Sequence, residues 1–529
     1  MTARTVRGVA GATLAAALIT GVTACSTPGA TGAATDAVVV GTATEPESLS
    51  PLLGYGKDGN SKIFDGLLSH DADMKLKPAL AEALPEVSAD GRTYTYKLRA
   101  GVKFSDGAPF SAKDVVFTYR TILDAKTNNA SKTELDAIEG VEARGEDTVV
   151  FTLKYPYAPF AERTVLPIAP EHIAGRQDVN SGDFTTRPVG TGPYVLAGWS
   201  KGEKLSFKAN PGYWGGEPAV KRFTMAVVKD DDVRATRLRS GELDGAILPP
   251  NLAKGFEKDP ARRTYAAKTF DYRNVTLPTH HRVTGDVSVR RALDIAVDRT
   301  AMVDKLLEGA GKPAFGPVPA DSPWFTAGTE RRHDLDRAKK ILDEAGWKAG
   351  EDGIRVKDGV RASFPLWYTS GDKIRQDHAL AFASDAKKAG IEVRTEAGTW
   401  EVIEPRMKTD AVLAGGGSPA DPDFDQYLLL TSSLGGDGFN NMAWYDNRTV
   451  DRALDEARRS GDPAVRKAAY DTVQRELVRD PGYVFLTHID HLYVVNDRWE
   501  GPTTQVEPHD HGLGSGPWWN VESWKPKAK

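Results

Sequence analysis

From about Asp271 onward the chain alternates amphipathic helices that stop near glycine with short runs of strand-forming residues. The stretch "SVRRALDIAVDRTAMVDKLLEGAG" reads as one long amphipathic helix, with Val289, Leu293, Val297 and Leu306 on its apolar side. "DLDRAKKILDEAG" and "RQDHALAFASDAKKAG" read as two more, interleaved with the strands "ASFPLWY" and "IEVRTEA". Helices with one apolar stripe and strands of this length can bury their faces only against each other, which predicts an α/β lobe. The helices "TVDRALDEARRS" and "AVRKAAYDTVQRELVRD" follow. "GYVFLTHIDHLYVV" then reads as a strand and leads to a Trp-rich tail.

The first half is patterned differently. "DAVVVGTATEP" is β-branched and ends at Glu-Pro, a first strand. "SKIFDGLLS" predicts a short helix closed by Gly66. "ADGRTYTYKLRAGVKF" has an Asp-Gly turn followed by alternation, with Tyr94, Tyr96 and Leu98 on one face. Ser111 is placed as the N-cap of the next helix, with Asp114 favoured by charge in its first turn. "EDTVVFTLKYPY" is another alternating strand, and Gly190, Gly192 and Pro193 turn the chain into a hairpin. "DDDVRATRLRSGELDGAIL" gives a charged helix, a glycine stop and a short strand.

The 529 residues carry a single cysteine, so no intrachain disulfide can form. That cysteine follows a distinctive start. Arg4 and Arg7 precede a short stretch of apolar and small residues, Val9 to Ile19, and "VTAC" ends at Cys25. The apolar part is shorter than the ~20 residues a spanning helix needs, but it suits a signal-peptide core. The arrangement resembles a bacterial lipoprotein signal. It implies that residues 1–24 are removed, Cys25 is lipidated, and 25–35 form a flexible tether. The body would then stand at the outer face of the cell membrane. Removing 1–24 takes away two bases and no acids, and acids and bases are interspersed beyond it. Such a chain lacks the concentrated basic face that nucleic acid requires.

Motifs for chemistry are sparse. "HIDH", His488 to His491, would put His488 and His491 on opposite strand faces, which is poor metal geometry. "HDH", His509 to His511, reads as loop decoration. "DPDFD", Asp421 to Asp425, begins like a calcium loop, but Gln426 stands where glycine is needed and Ser432 where the bidentate glutamate is needed. "GAGKP" is not a phosphate loop, "GTGPYV" lacks the third glycine of a dinucleotide site, and no serine sits in a G-x-S-x-G setting. No catalytic residue, metal site or cofactor is assigned.

Four stretches, in order, resemble the family 5 extracellular solute-binding proteins of ABC importers, the oligopeptide, dipeptide and nickel-binding class. They are "LKPALAEALPEVSADGRTYTYKLRAGVKFSDGAPFSAKDVVFTYRTIL", "PVGTGPYVLAGW" with "ANPGYWGG", "VRRALDIAVDRTAMVDKLLEGAGKPAFGPVP" and "NMAWYDNRTVDRALDEA". Order and spacing hold from Val38 to about Trp499. The resemblance implies an α/β, two-lobed periplasmic-binding-protein-like fold with a hinge and an extra α+β subdomain. Lobe I would comprise 36–55, 185–270 and 490–529, the extra subdomain 56–184, and lobe II 271–489. It further implies a monomer that is not an enzyme and that delivers a peptide or peptide-like ligand to an ABC permease and its ATPase. A nickel chelate, an opine or an oligosaccharide would suit the same fold. From other classes, a secreted lipoprotein hydrolase would need a nucleophile and base in reach, and a ligand sensor would lack permease and ATPase genes beside it.

The same resemblance supplies candidate binding residues. In peptide binders of this family an aspartate in a short loop before a "DP" or "EP" pair holds the ligand's α-amino group. In "GGGSPADPDFDQYL" that place falls to Ser418, whose hydroxyl cannot match the charge of a desolvated ammonium. Asp421 or Asp423 would take over if the loop shifts; otherwise both cap the next helix. Trp400 matches a pocket tryptophan of the family, with a core role as the alternative. Tyr55, Trp367, Tyr368, Asn440, Asn441 and His488 lie in segments that line the cleft in relatives.

Overall fold

The computed structural model describes residues 36–129, 131–509 and 514–528. Two large mixed sheets organise them. The first has seven strands, in the order Arg262–Ala267, His491–Asn496, Gly245–Leu248, Ala37–Thr42, Arg222–Val227, Lys204–Ala209, Tyr194–Ser200. Its central strand Ala37–Thr42 pairs parallel on both sides, and the outer pairs are antiparallel. The second has six strands, in the order Gly311–Pro313, Tyr483–Ile489, Tyr272–Thr276, Ala411–Gly416, Ser363–Thr369, Glu392–Gly398. A smaller four-stranded antiparallel sheet is built from Glu86–Val87, Thr93–Lys97, Thr148–Leu153 and Ile138–Ala143. Helix Ala112–Leu123 packs on this sheet. Ser111 caps that helix, and the Asp114 carboxylate accepts from the Ser111 amide in return, at 2.9 Å.

The six-stranded sheet is apolar on both faces. Along Tyr483–Ile489, Val484 and Leu486 enter a core with Leu293, Leu342 and Phe382 of the helices Val287–Ala296, Leu335–Glu344 and Lys373–Lys388. Tyr483 and Phe485 enter a second core with Leu454, Tyr470 and Val473 of Arg448–Arg459 and Pro463–Arg479. The period of two along the strand does this sorting.

Three local readings are corrected. "SKIFDGLLS" forms no helix: a Cβ on Gly66 would sit 2.4 Å from the Val165 carbonyl, so this segment threads closely past other backbone. The long helix from Val287 is two, Val287–Ala296 and Arg299–Leu306. Val297 is extended between them, and the Asp298 side chain caps the second through the Ala301 amide at 2.9 Å. "GYVFLTHIDHLYVV" is two strands split at Asp490, one in each large sheet.

That split locates the junction between the sheets. The chain crosses once between Ala267 and Tyr272 and again at Asp490. The two crossings are stitched together. The Thr269 hydroxyl donates to the Ile489 carbonyl at 2.5 Å, and the Ile489 amide donates to the Asp271 carbonyl at 2.8 Å. A third strand of chain joins them, with Phe270 and Glu507 paired amide to carbonyl at 2.9 Å. Beneath lies a buried ionic cluster. The Asp271 carboxylate meets Arg273, His491 Nε2 at 3.0 Å and His509 Nδ1 at 2.6 Å. Glu507 receives His491 Nδ1 at 2.7 Å and the Tyr493 hydroxyl at 2.9 Å. Burial disfavours charge on His491, but Asp271 and Glu507 outweigh it and raise its pKa to about 9.

This sets a pH dependence. The folded protein binds the His491 proton more tightly than the unfolded chain does, where the pKa is about 6.5. The stabilisation is therefore complete below about pH 6.5 and is lost as pH rises through about 9. Urea unfolding midpoints of the wild type should fall over that window, and His491→Gln should flatten the fall. An equal slope in the variant would show that His491 is not its source.

Candidate ligand-binding site

A cavity of about 370 Å³ opens on the six-stranded sheet near the junction. Tyr272 and Asn274 come from the strand after the first crossing, and Gly415 and Gly416 from the end of Ala411–Gly416. Helix Lys373–Lys388 contributes Arg375, and helix Asp423–Leu430 contributes Phe424 and Asp425. Trp400 and Phe439 form an aromatic corner, edge to face at 5.1 Å, although Phe439 is 51% exposed. The Gly417 backbone (φ 128°) follows directly, and a Cβ there would lie 1.9 Å from the Phe270 carbonyl. Only glycine lets the cavity wall press against the crossing. The Gly417 carbonyl also accepts from the His509 amide at 2.9 Å.

Three buried polar atoms around this cavity have no hydrogen-bond partner among the described residues: Asn274 Oδ1, Arg375 Nε and Asp425 Oδ2. Buried polar atoms are nearly always paired, and these three are themselves closed to solvent behind the cavity wall. The two charged members differ in sign. Arg375 is held on one side by Asp372, at 2.5 Å. Burial and the nearby Arg273 still pull its guanidinium below the ordinary range. Asp425 Oδ1 accepts from the Tyr272 hydroxyl at 2.9 Å. Burial pushes the Asp425 carboxyl up to about 7, against the pull of Tyr272 and the Gly417 amide. A second cavity, about 450 Å³, lies at the end of strand Ala37–Thr42 and includes Glu45, Tyr55 and Lys57.

The sequence candidates separate in space. Trp400 and Asn440 line the cavity on the six-stranded sheet, and Tyr55 lines the other. Ser418 is half-buried in the loop after Gly417. Trp367 donates its indole N–H to Asp410 at 2.9 Å and lies under Arg406, while Tyr368 packs on the sheet's core.

Three candidates are engaged by other groups of the protein, and a fourth, His488, is buried. Asp421 is gripped by Arg466 through two contacts of 2.6 and 2.9 Å. Asp423 is held by Arg458 at 3.1 and 3.2 Å and by the Tyr157 hydroxyl at 2.7 Å. Neither carboxylate is free for a ligand. Asn441 spends its side chain on Thr431 and Tyr445 backbone at 2.8–3.0 Å. His488 is buried edge-on behind Tyr272, and burial drives its pKa down to about 4, so the ring is neutral. Cys25 lies outside the described residues, as does His511.

Sequence reasoning missed Asn274, Arg375 and Asp425. The signal for Asp425 was present in "DPDFD". On a helix, residues two apart point to opposite sides, so once Asp423 turns toward Arg458, Asp425 turns toward the cavity.

Two sheets joined by a double crossing, with a polar-orphaned cavity at the junction, define a two-lobed solute-binding protein. The chain belongs to the bacterial extracellular solute-binding proteins, family 5, whose middle region matches residues 75–439. It is 68% identical over 502 residues to Protein XP55 of Streptomyces lividans, covering 94% of this chain and 92% of that one. Its fold is similar to NikZ of Campylobacter jejuni in complex with Ni(L-His), with a TM-score of 0.85 and 29% identity, over 93% of this chain and 99% of that one. It is also similar to the oligopeptide-binding protein AppA of Bacillus subtilis in complex with a nonapeptide, with a TM-score of 0.80 and 27% identity over 93% and 99%. The architecture is thus the two-lobed periplasmic-binding-protein fold, and the protein is a solute-binding component of an ABC importer.

The contrast among the aspartates can be measured. Asp421→Asn leaves Arg466 buried without its partner and should cost about 3–5 kcal/mol. Asp425→Asn should do the reverse. The Asp425 pKa rises on folding from about 3.9 to about 7, so the native state holds the extra proton between these values. Wild-type stability therefore falls as pH rises through them, and the variant escapes that fall. Urea melts should show Asp425→Asn close to wild type at pH 4 and more stable at pH 8. A destabilised Asp425→Asn at pH 8 would mean that its carboxylate is a structural group.

Proposed function

We propose that this chain captures a peptide or peptide-like solute in the cavity on the six-stranded sheet and delivers it to an ABC permease. The observation that carries the reading is the convergence of Asn274, Arg375 and Asp425, each with an unpaired buried atom, beneath Trp400 and Phe439. An anion-seeking guanidinium, a carboxyl and an aromatic wall suit a solute with polar ends and an apolar body. AppA, in complex with a nonapeptide, supports this reading by likeness. A small metal–amino-acid chelate is the second reading, favoured by the likeness to NikZ with Ni(L-His).

The lobes proposed are 36–55, 185–270 and 490–529 against 271–489, with 56–184 as the extra subdomain. Rotation about the double crossing at Lys268–Asp271 and Asp490 would close the cleft. Binding should stabilise the protein by mass action, by about 2.7 kcal/mol at a hundredfold excess over Kd, and so raise the melting temperature. It should also shrink the radius of gyration in solution scattering. Recovery of a chemically altered solute after incubation would refute a pure binding role.

The anchor belongs to the same proposal. Lipidation at Cys25 rests on the basic start, the short apolar stretch and "VTAC". Cys25→Ser should move the protein from the membrane to the soluble fraction of its host. Retention of the variant on the membrane would remove the anchor from the proposal.

A further inference from the structure

We infer that Tyr157 and Arg163, on the chain that leaves strand Thr148–Leu153, form a latch that holds the cleft shut against Asp423, Phe424 and Arg458, and that the protein opens by parting at this seam. The inference rests on the hinge proposed above and holds whichever solute the cavity takes.

The division of the apolar cores is the first step. Tyr96 and Phe151 of the smaller sheet share one core with Val38, Val40 and Phe223 of the seven-stranded sheet. These two sheets therefore move as one body. The helices Asp423–Leu430 and Arg448–Arg459 bury their apolar faces elsewhere, with Leu430 and Leu454 in the core that holds Tyr483 and Phe485 of the six-stranded sheet. The seam between the two bodies is of another kind. The Tyr157 hydroxyl donates to Asp423 Oδ2 at 2.7 Å. The Arg458 guanidinium lies over the Tyr157 ring at 4.9 Å, Arg459 over Tyr155 at 4.8 Å, and Arg163 over Phe424 at 3.5 Å.

Such a seam can part cleanly. An apolar core resists separation because both sides would expose area to water, whereas hydrogen bonds and cation–π contacts exchange for water at small net cost. The charges are arranged for the same end. Asp423 has its own cation, Arg458, on its own side of the seam, at 3.1 and 3.2 Å. Arg163 has its own anion, Glu134, on the other side, and Glu134 is paired in turn with Lys57 at 2.7 Å. Opening therefore leaves no charge without its counter-ion, which is the costly event when buried ion pairs are split. Closing adds the shared hydroxyl bond and the stacked cations, and it shuts Tyr157 and Asp423 from water, each at 1% exposure. Phe424 belongs to both places: it lines the candidate cavity and lies under Arg163. The latch thereby sets one wall of the cavity.

The test reads opening in the ligand-stripped Cys25→Ser chain by single-molecule energy transfer. One dye is attached through Arg144→Cys, next to strand Ile138–Ala143, and the other through Lys340→Cys on helix Leu335–Glu344; both side chains are exposed and lie outside the seam. The expected result is a closed and an open population in this parent chain. Tyr157→Phe keeps the ring and removes the hydroxyl, and should lower the closed-to-open ratio by about tenfold, the low end for a hydrogen bond to a charged group. Arg459→Ala, at an exposed side chain, should lower it by about two- to fivefold through the lost contact with Tyr155. A merely structural contact would move the melting curve and leave this ratio alone. A parent chain that shows only the open population overturns the latch. The same ratio in both variants as in the parent overturns it as well and leaves the hinge standing, because both populations are then seen. A single closed population in every chain overturns the latch and the hinge together. The solute reading stands in all three cases, since no solute takes part.

Discussion

The buried cluster on Asp271 is the constraint from which the rest of the molecule follows. Two chain crossings and the segment around Glu507 converge there, and each brings a charged side chain out of water. Ions in such a place are tolerated only when every one is paired and hydrogen-bonded. Asp271 therefore has Arg273, His491 and His509, and His491 has Asp271 and Glu507. Burial works against charge on Asp271, yet these partners hold its carboxyl well below the ordinary range. An apolar junction would slide. A paired one has few alternative registers, so two sheets can tilt about it without losing their alignment.

The cavity inherits its geometry from that junction. Tyr272 lies between Asp271 and Arg273 on the chain, so its side chain is placed by the same ion pairs that fix the crossing. Gly417 is pressed against Phe270 and tied to His509. The wall of the cavity is thus continuous with the crossing between the two sheets. A change of angle between the sheets would be felt at Tyr272 and Gly417 and passed to the carboxyl that they hold.

Much of this architecture could be read from residues alone. The strand and helix alternation after Asp271 survives in the six-stranded sheet and its covering helices, and the four family motifs name the right fold. The junction could not be read. "GYVFLTHIDHLYVV" is apolar enough to be one strand, and nothing local says that Asp490 belongs to neither sheet. The break at Val297 was hidden for a similar reason: helical periodicity continues across it, and the capping aspartate Asp298 looks like any polar position on a helix surface. The candidate site was only partly legible. Trp400 and Asn440 reach the cavity, but Asp421 and Asp423 are held by arginines far away in sequence, Asn441 bonds to the backbone of Thr431 and Tyr445, and His488 is buried against Tyr272. Motif matching places a residue in a segment. It cannot say whether an arginine 35 or 45 residues further on has already claimed it.

The "DPDFD" segment shows how those claims set the orientation of a helix start. Three carboxylates lie within five residues, which in isolation would repel one another and leave the loop unsettled. Arg466 neutralises the first and Arg458 the second, and with Tyr157 they pin the helix start to the helices Arg448–Arg459 and Pro463–Arg479 and to the segment after strand Thr148–Leu153. The pinning costs desolvation twice over, and its return is orientation. The third carboxylate is carried round to the opposite side of the helix, toward Tyr272, with no cation of its own.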